Sequence, residues 1–464
     1  MNARSLQVRE AAATPAQLRT LVARRPGLFP VLFDSAAAGP LGRYSILAAA
    51  PGASLLLRGD GRLETQGVAL RSTDFLAALD EWWTASRTAP PIDQQAAALP
   101  FRGGWLVYLG YELAGHIEAG LGLPALRSDA VCALAVRVSA AIVHDHLLQR
   151  TFLVEEAGAA EASAEIDAAL ASLPSINGDG ARPARPGSTD VVREQAPGLF
   201  QRAVLRAQEY IAAGDVYQAN LSRGWQVDLT THADPGGLYE SLRLANPAPF
   251  AVHASLPGMK VLSSSPERLV RVSGRRVETR PIAGTRARDG SPGSDAAEKR
   301  ELLANAKERA EHVMLIDLER NDLGRICHAG TVEVNEFMVT ESYPHLHHIV
   351  SNVRGRLRDE VTPGATLRAV FPGGTITGCP KYRCMQIIGE LEAEPRGAYT
   401  GSIGYLNTDG DMDFNILIRT ATLTDATLRF RAGAGIVADS DWQRELAETR
   451  TKAQGMLRAF GSRA

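Results

Sequence analysis

A chain of 464 residues exceeds the size at which one hydrophobic core grows comfortably, so either two domains or one large composite fold is expected. Apolar residues make up 45% of the sequence, enough to bury such a core, and the formal net charge of -2 excludes a general attraction to nucleic acid or to an anionic membrane surface. An anionic ligand would have to be held by local groups, which points to a small molecule in a pocket.

The first twenty residues, MNARSLQVREAAATPAQLRT, lack the apolar run of about 7–15 residues found in a secretory signal, and no stretch reaches the roughly 18 apolar residues of a membrane span. A cytoplasmic location is expected. Cys132, Cys327, Cys379 and Cys384 form no CxxC pair and have no histidine at metal-ligand spacing, so they read as buried free thiols.

In chain order, Ala157–Ala171 reads as a surface helix. Residues 174–197, rich in Pro, Gly and polar side chains, read as a linker or loop between an N-terminal region, 1–173, and a catalytic region, 198–464. Leu199–Ala213 has helical period, LVRVSGRRVETRPI reads as a hairpin turning at Ser273–Gly274, and Ala297–Arg320 reads as a long helix. Toward the end, SIGYLNTDGDMDFNILIRTATLTDATLRFRAGAGIV predicts three strands with turns at Asp409–Gly410 and near Asp425. A terminal helix follows, capped between Asp439 and Asp441. An antiparallel meander with helices fits this order, and a doubly wound parallel sheet does not.

Two helices carry paired carboxylates. Glu308 and Glu311 are three residues apart and share a face, and Glu445 and Glu448 repeat the spacing beside the apolar stripe of Trp442, Leu446, Ala453, Met456, Leu457 and Phe460. Such pairs suit a hard cation that takes few carboxylates plus water and substrate oxygens, and equally a solvated helix face. The Gly-rich run FPGGTITGCPK leads into an amphipathic helix with Pro380 in its first turn, where unpaired N–H groups could receive an anion. Gly433-Ala434-Gly435 permits close backbone approach in the same way, and both glycine runs are also consistent with tight structural turns. No GxSxG, HExxH or dinucleotide GxGxxG is present, so hydrolase and nicotinamide chemistry have no support. With no cysteine in a GxCxG turn, the chain has no visible means of releasing ammonia from glutamine.

The ordered motifs LFDSA, GRYSILAAAP, GGWLVYLGYE, GDVYQANLS, SSPERLVRV, RPIAGTR, KERAEHVMLIDLERNDLGR, HHIVSNVRGRL, FPGGTITGCPK, YTGSIGY, MDFNILIRT, RAGAGIVADS and ELAETRTKA resemble the chorismate-utilising enzymes, in particular the component I subunits of anthranilate and aminodeoxychorismate synthases. The resemblance implies an α+β composite fold of two large antiparallel sheets with surrounding helices. It implies Mg²⁺ on Glu311 and Glu448, with Glu308 and Glu445 close by. Arg419 and Tyr399 match positions that bind the enolpyruvyl carboxylate, completed by Gly284, Thr285, Gly433, Ala434 and Gly435. Glu267 matches a general acid, and His348 the family histidine. Gln218 stands where the water-adding relatives have a lysine base, which implies ammonia rather than water as nucleophile, delivered by a glutamine amidotransferase partner. Ala283 stands where many aminodeoxychorismate synthases carry a nucleophilic lysine, as it does in anthranilate synthases. Against that, YQANLS, ANPAPFA, SSSPERL, FPGGTITG and YTGSIGYL look more like the aminodeoxychorismate branch. Amination of chorismate to 4-amino-4-deoxychorismate, for 4-aminobenzoate and folate, is therefore the leading reading. Anthranilate synthesis and a catalytically silent regulatory homologue are the alternatives. Ser35 and Pro249-Phe250-Ala251 match a tryptophan pocket, and Ala251 replaces the methionine common in feedback-regulated relatives.

Overall fold

The structure is a computed structural model that describes residues 6–173 (38 and 40 aside), 191–229, 234–287, 300–301, 304–342 and 346–460. Most of the stretch read as a linker, 174–190, lies outside the described residues, as does much of the start of the long helix read from Ala297.

Every strand pairing is antiparallel, and the pairings trace two sheets that share two long strands, Tyr44–Arg58 and Val131–Asp145. One sheet runs from the strand Leu6–Glu10 through Arg150–Glu156, the shared pair, Val31–Asp34, Phe250–Leu256, Met259–Ser265, Thr420–Thr424 and Thr427–Ile436 to Gln218–Asp228. The other continues from the shared pair through Gly104–Leu109, Ser402–Asn407, Met412–Asn415, Arg268–Ser273 and Arg276–Arg280 to Leu346–Arg356 and Glu333–Ser342. This is the expected α+β architecture of two large antiparallel sheets. Both sheets combine strands from before and after residues 174–190, joined where Val31–Asp34 meets Phe250–Leu256 and where Gly104–Leu109 meets Ser402–Asn407.

Alternation along the strands explains how the layers stack. In Gly104–Leu109, Leu106 and Tyr108 enter a core between the sheets with Val31, Ile46, Val252 and Leu417. Trp105, Val107 and Leu109 point the other way, toward the helices Phe75–Ser86 and Pro363–Val370, and Trp105 meets Trp82 edge to face at 5.5 Å. A strand buried on both faces has no polar side, which is why this one reads as a continuous apolar run. The first sheet's outer face is covered by the helices Pro15–Arg24, Ala160–Ala171, Pro235–Ala245 and Trp442–Ala459.

Three sequence readings shift. Within the predicted linker, Val191–Glu194 form an edge strand on Gln218–Asp228, and Pro197 opens the helix Pro197–Ala212, one residue short of its predicted end; polar composition hid a strand exposed on every residue. The helix Ala160–Ala171 buries Ile166 and Ala169 rather than lying wholly on the surface. The meander near the end has four strands, not three, because the chain leaves one sheet at Asn415 and joins the other at Thr420. The terminal helix starts where predicted, with Asp441 capping the Arg444 N–H at 3.0 Å and Leu446, Ala453, Met456, Leu457 and Phe460 buried.

Among the described residues no helix is long and apolar enough to cross a membrane. All four cysteines are free; Cys132, Cys327 and Cys384 are buried and Cys379 partly so.

Candidate functional site

The chain crosses between the sheets at 266–267 and again at 416–419, and each crossing places one ionisable side chain. The crossings are tied by the Ile416 N–H donating to the Glu267 carbonyl at 3.0 Å and the Ser264 N–H donating to the Arg419 carbonyl at 3.1 Å. Glu267 is 5% exposed, and burial pushes its carboxyl up to about 7, with the neighbouring Thr375 hydroxyl, Ile282 amide and Arg419 guanidinium offsetting this in part. Its Oε1 is buried and accepts no hydrogen bond among the described residues. Arg419 adopts a left-handed backbone, φ 49°, unusual for a residue with a long side chain, and no carboxylate among the described residues lies within salt-bridge distance of it. Burial lowers its pKa while Glu267 opposes that shift. A carboxyl that keeps its proton well above the ordinary carboxylate range thus stands near a guanidinium that no carboxylate pairs among the described residues.

The loop of FPGGTITG links this pair to the strand Gln218–Asp228. Its 3₁₀ turn, Gly374–Ile376, carries Thr375 beside Glu267, and two residues on the Thr377 carbonyl accepts the Asn220 N–H at 2.9 Å. Gly378 and Cys379 then pair with Ala219 and Gln218. Behind Gly374 lies Glu319, whose buried carboxyl is pushed up by desolvation and by Asp322; Lys381 pairs with Asp322 and seals that side. The loop's helix follows, Lys381–Leu391, with Pro380 at its N-cap rather than in its first turn.

Gly433, Ala434 and Gly435 lie inside the strand Thr427–Ile436 rather than after it, facing Ser222, Leu221 and Asn220. What these glycines accommodate is visible directly. A Cβ on Gly433 would stand 2.7 Å from Asn220 Oδ1 and 2.8 Å from the Tyr399 hydroxyl, and one on Gly435 would stand 2.5 Å from Gln218 Nε2. The missing side chains let Gln218, Asn220 and Tyr399 lean over this strand. Tyr399 is buried, and desolvation raises its phenol to about 12, so it stays a neutral donor.

Beneath them sits a charged hub that the sequence reading missed. Arg396 donates to Glu392 Oε1 at 2.6 Å and Oε2 at 3.0 Å, to the Asn220 carbonyl at 2.7 Å, to the Ile376 carbonyl at 3.2 Å and to the Thr400 hydroxyl at 3.3 Å. Glu392 also accepts from Arg431 at 3.0 Å and from the Ser222 N–H at 2.8 Å. One guanidinium therefore fixes the strand under Gln218 and Asn220, the glycine loop and the Tyr399 turn at once. The signal available was a buried Glu-x-x-x-Arg pair leading into Gly-Ala-Tyr. Lys452 is a second omission: its ammonium donates to the Gly433 carbonyl at 2.9 Å and pairs with Glu448 at 2.7 Å.

The remaining predicted residues are distributed around this centre. Ala283 and Gly284 lie in the strand Ile282–Ala287, at a bulge where Gly284 has φ 57°; the Thr285 backbone pairs with that of His348, which is buried, while the Thr285 side chain lies outside the described residues. Glu308 and Glu311 are half-buried on the helix Ala306–Gly324. Glu445 accepts from the Ser440 hydroxyl at 2.7 Å, and Glu448 is exposed. The described residues contain no group of three His, Cys, Asp or Glu side chains placed to hold a metal. Two carboxylates on separate helices nevertheless have the donor chemistry that suits Mg²⁺, an ion that keeps water and substrate oxygens in its shell.

Ser35, Pro249, Phe250 and Ala251 line one cavity of about 410 Å³ between the sheets, distinct from the Glu267 pair. Ser35 Oγ donates to the Tyr44 carbonyl at 2.6 Å, and the Arg268 guanidinium covers the Phe250 ring at 4.9 Å.

Comparison with known proteins identifies the family and the fold. The model of the chorismate binding enzyme family matches residues 37–458. Aminodeoxychorismate synthase component 1 of Bacillus subtilis (strain 168) is 39% identical over 447 residues, 93% of this chain and 91% of that protein. Anthranilate synthase component 1 of Thermus thermophilus is 40% identical over 437 residues, 92% and 91% of the two chains. The crystal structure of anthranilate synthase component I from Streptococcus pneumoniae TIGR4 superposes with a TM-score of 0.77 at 32% identity, covering 90% of this chain and 93% of that one. With the family model matching most of its length, relatives about 40% identical over nine-tenths of both chains and a solved structure of the same fold, the chain belongs to the chorismate binding enzyme family.

Proposed function

We propose that this chain aminates chorismate to 4-amino-4-deoxychorismate, using ammonia supplied by a separate glutamine amidotransferase subunit. The observation that carries the amination chemistry is Glu267: a buried carboxyl whose pKa of about 7 keeps a proton available near neutral pH, with Oε1 accepting no hydrogen bond among the described residues and the Arg419 guanidinium close by.

Arg419 and Tyr399 would take the enolpyruvyl carboxylate, the one by charge and the other through its phenolic donor. In the first step a bond forms between the ammonia nitrogen and C2, the ring double bond shifts, and the C4–O bond breaks. Glu267 gives its proton to the departing hydroxyl, which leaves as water, and the surplus proton on nitrogen restores the Glu267 acid. A second ammonia attacking C4 then reverses the shift and breaks the C2–N bond; Glu267 gives its proton to the departing amine, which leaves as ammonia, and recovers one from the new C4 ammonium, giving the 4-amino product without a covalent lysine. Glu311 and Glu448, with Glu308 and Glu445 beside them, would hold a Mg²⁺ ion, which when bound supplies Lewis-acid charge to the ring carboxylate. His348, buried behind Thr285, would assist in positioning. The cavity around Ser35 is read as a tryptophan seat, with a structural rather than a regulatory occupant.

The motifs YQANLS, SSSPERL and YTGSIGYL favour the 4-amino product. Ala283 favours the second reading, anthranilate synthesis, in which the C2-amino intermediate loses a proton and pyruvate instead. The test is incubation with chorismate, Mg²⁺ and ammonium, with and without an added aminodeoxychorismate lyase. The expected result is 4-aminobenzoate only when the lyase is present. Fluorescent anthranilate formed without lyase would overturn the 4-amino assignment.

A further inference from the structure

The Tyr399 hydroxyl is carried by the turn at residues 396–400, and the near end of that turn is gripped by a segment almost three hundred positions earlier in the chain. The pairing of Gly104–Leu109 with Ser402–Asn407 sets Leu109 opposite Ser402, so the 3₁₀ turn Tyr111–Leu113, which follows the first strand, meets the turn that precedes the second. Glu112 is buried at this meeting point, and its carboxyl takes both N–H groups at the start of the later turn. Oε1 accepts from Arg396 at 2.7 Å and Oε2 from Gly397 at 3.1 Å. Beside it the Tyr111 N–H donates to the Gly397 carbonyl at 2.8 Å, and the Tyr399 N–H closes the turn on the Arg396 carbonyl at 3.1 Å. The Arg396 guanidinium lies 4.8 Å from the centre of the Tyr111 ring and 5.7 Å from that of Tyr399. The far end of the turn is held separately, by the Thr400 N–H on the Leu417 carbonyl at 2.8 Å.

A buried carboxyl is costly, and burial pushes that of Glu112 up to about 7 against the opposing pull of the Gly397 and Arg396 amides. The strand pairing already joins the two segments, so the further cost is matched by something the pairing does not supply: a fixed orientation of the turn's first peptides. We propose that Glu112 is a positioning residue for substrate binding, setting the place of the Tyr399 hydroxyl through the backbone of Arg396 and Gly397. The inference rests on the reading above in which Tyr399 donates to a substrate carboxylate. Without Glu112 two buried N–H groups lose their acceptor, and Gly397, at φ 60°, has the backbone freedom to turn toward another. The tyrosine two residues on moves with it, and a displacement of about 1 Å takes a hydroxyl out of hydrogen-bond range of a carboxylate.

The test is equilibrium titration of chorismate, with Mg²⁺ present and ammonium absent, across a double-mutant cycle of Glu112→Ala and Tyr399→Phe. Each single variant is expected to raise the Kd about tenfold, and Glu112→Ala added to Tyr399→Phe to raise it by less than about twofold more. Glu112→Gln keeps an acceptor oxygen for the Arg396 N–H and is expected to raise the Kd only about threefold; it takes the place of alanine in the cycle if Glu112→Ala does not fold. Equal weakening by the Glu112 substitution in both backgrounds, or no weakening in either, overturns the role of Glu112 and leaves that of Tyr399 standing. Chorismate binding in Tyr399→Phe as tight as in the unaltered chain overturns the reading of Tyr399 and the proposal with it.

Discussion

Glu267 shows how position converts an ordinary carboxylate into an acid. Its pKa of about 7 lies above the ordinary value because burial penalises the anion more than Arg419 and the nearby donors stabilise it. The protonated form is the proton donor, so kcat/KM should fall as pH rises through about 7, and Glu267→Gln should remove that limb and lower kcat by about 10²–10⁴-fold; a pH–rate profile checks both. The linkage to folding has the same sign. A folded-state pKa raised above the unfolded value means that stability declines as pH rises from the ordinary carboxylate range through 7, and Glu267→Gln relieves this above neutrality. The sequence showed a glutamate in SPER but not its protonation state, because that depends on burial and on groups that oppose it such as Thr375 and Arg419, more than a hundred positions away.

At the scale of elements, local signals were legible where they were local in origin. Asp441 caps the terminal helix within its own first turn, and the apolar stripe of that helix is a property of its period. Asp441→Ala should cost about 1 kcal/mol, read as a lower urea midpoint with an unchanged slope, since the cap hydrogen bond is lost while the buried stripe stays. The break between Asn415 and Thr420 was not legible. Ile416, Leu417 and Ile418 continue an apolar run that reads as strand, and only the second sheet, pulling the chain away at Arg419, interrupts it. Glycine behaved likewise: Gly433 and Gly435 were recognised as permissive backbone, yet what they accommodate, Gln218, Asn220 and Tyr399, belongs to other segments.

Across the whole molecule, the strand Val31–Asp34 pairs with Phe250–Leu256, and Gly104–Leu109 pairs with Ser402–Asn407. Each half would present unpaired strand edges and an open apolar face without the other. Fragments 1–173 and 198–464 expressed separately should therefore lack dispersed amide resonances, while the intact chain unfolds in urea as one transition by fluorescence and circular dichroism alike. Composition, helical and strand periods, the capping aspartate and the ordered motifs were determined by the sequence alone, since each depends on neighbours within a turn or a strand. The tertiary structure decided the raised pKa of Glu267, the guanidinium hub at Arg396 and the hydrogen bond of Lys452 to the Gly433 carbonyl. Burial and charge act through space, and the segments that supply them here are brought together only when the two sheets close.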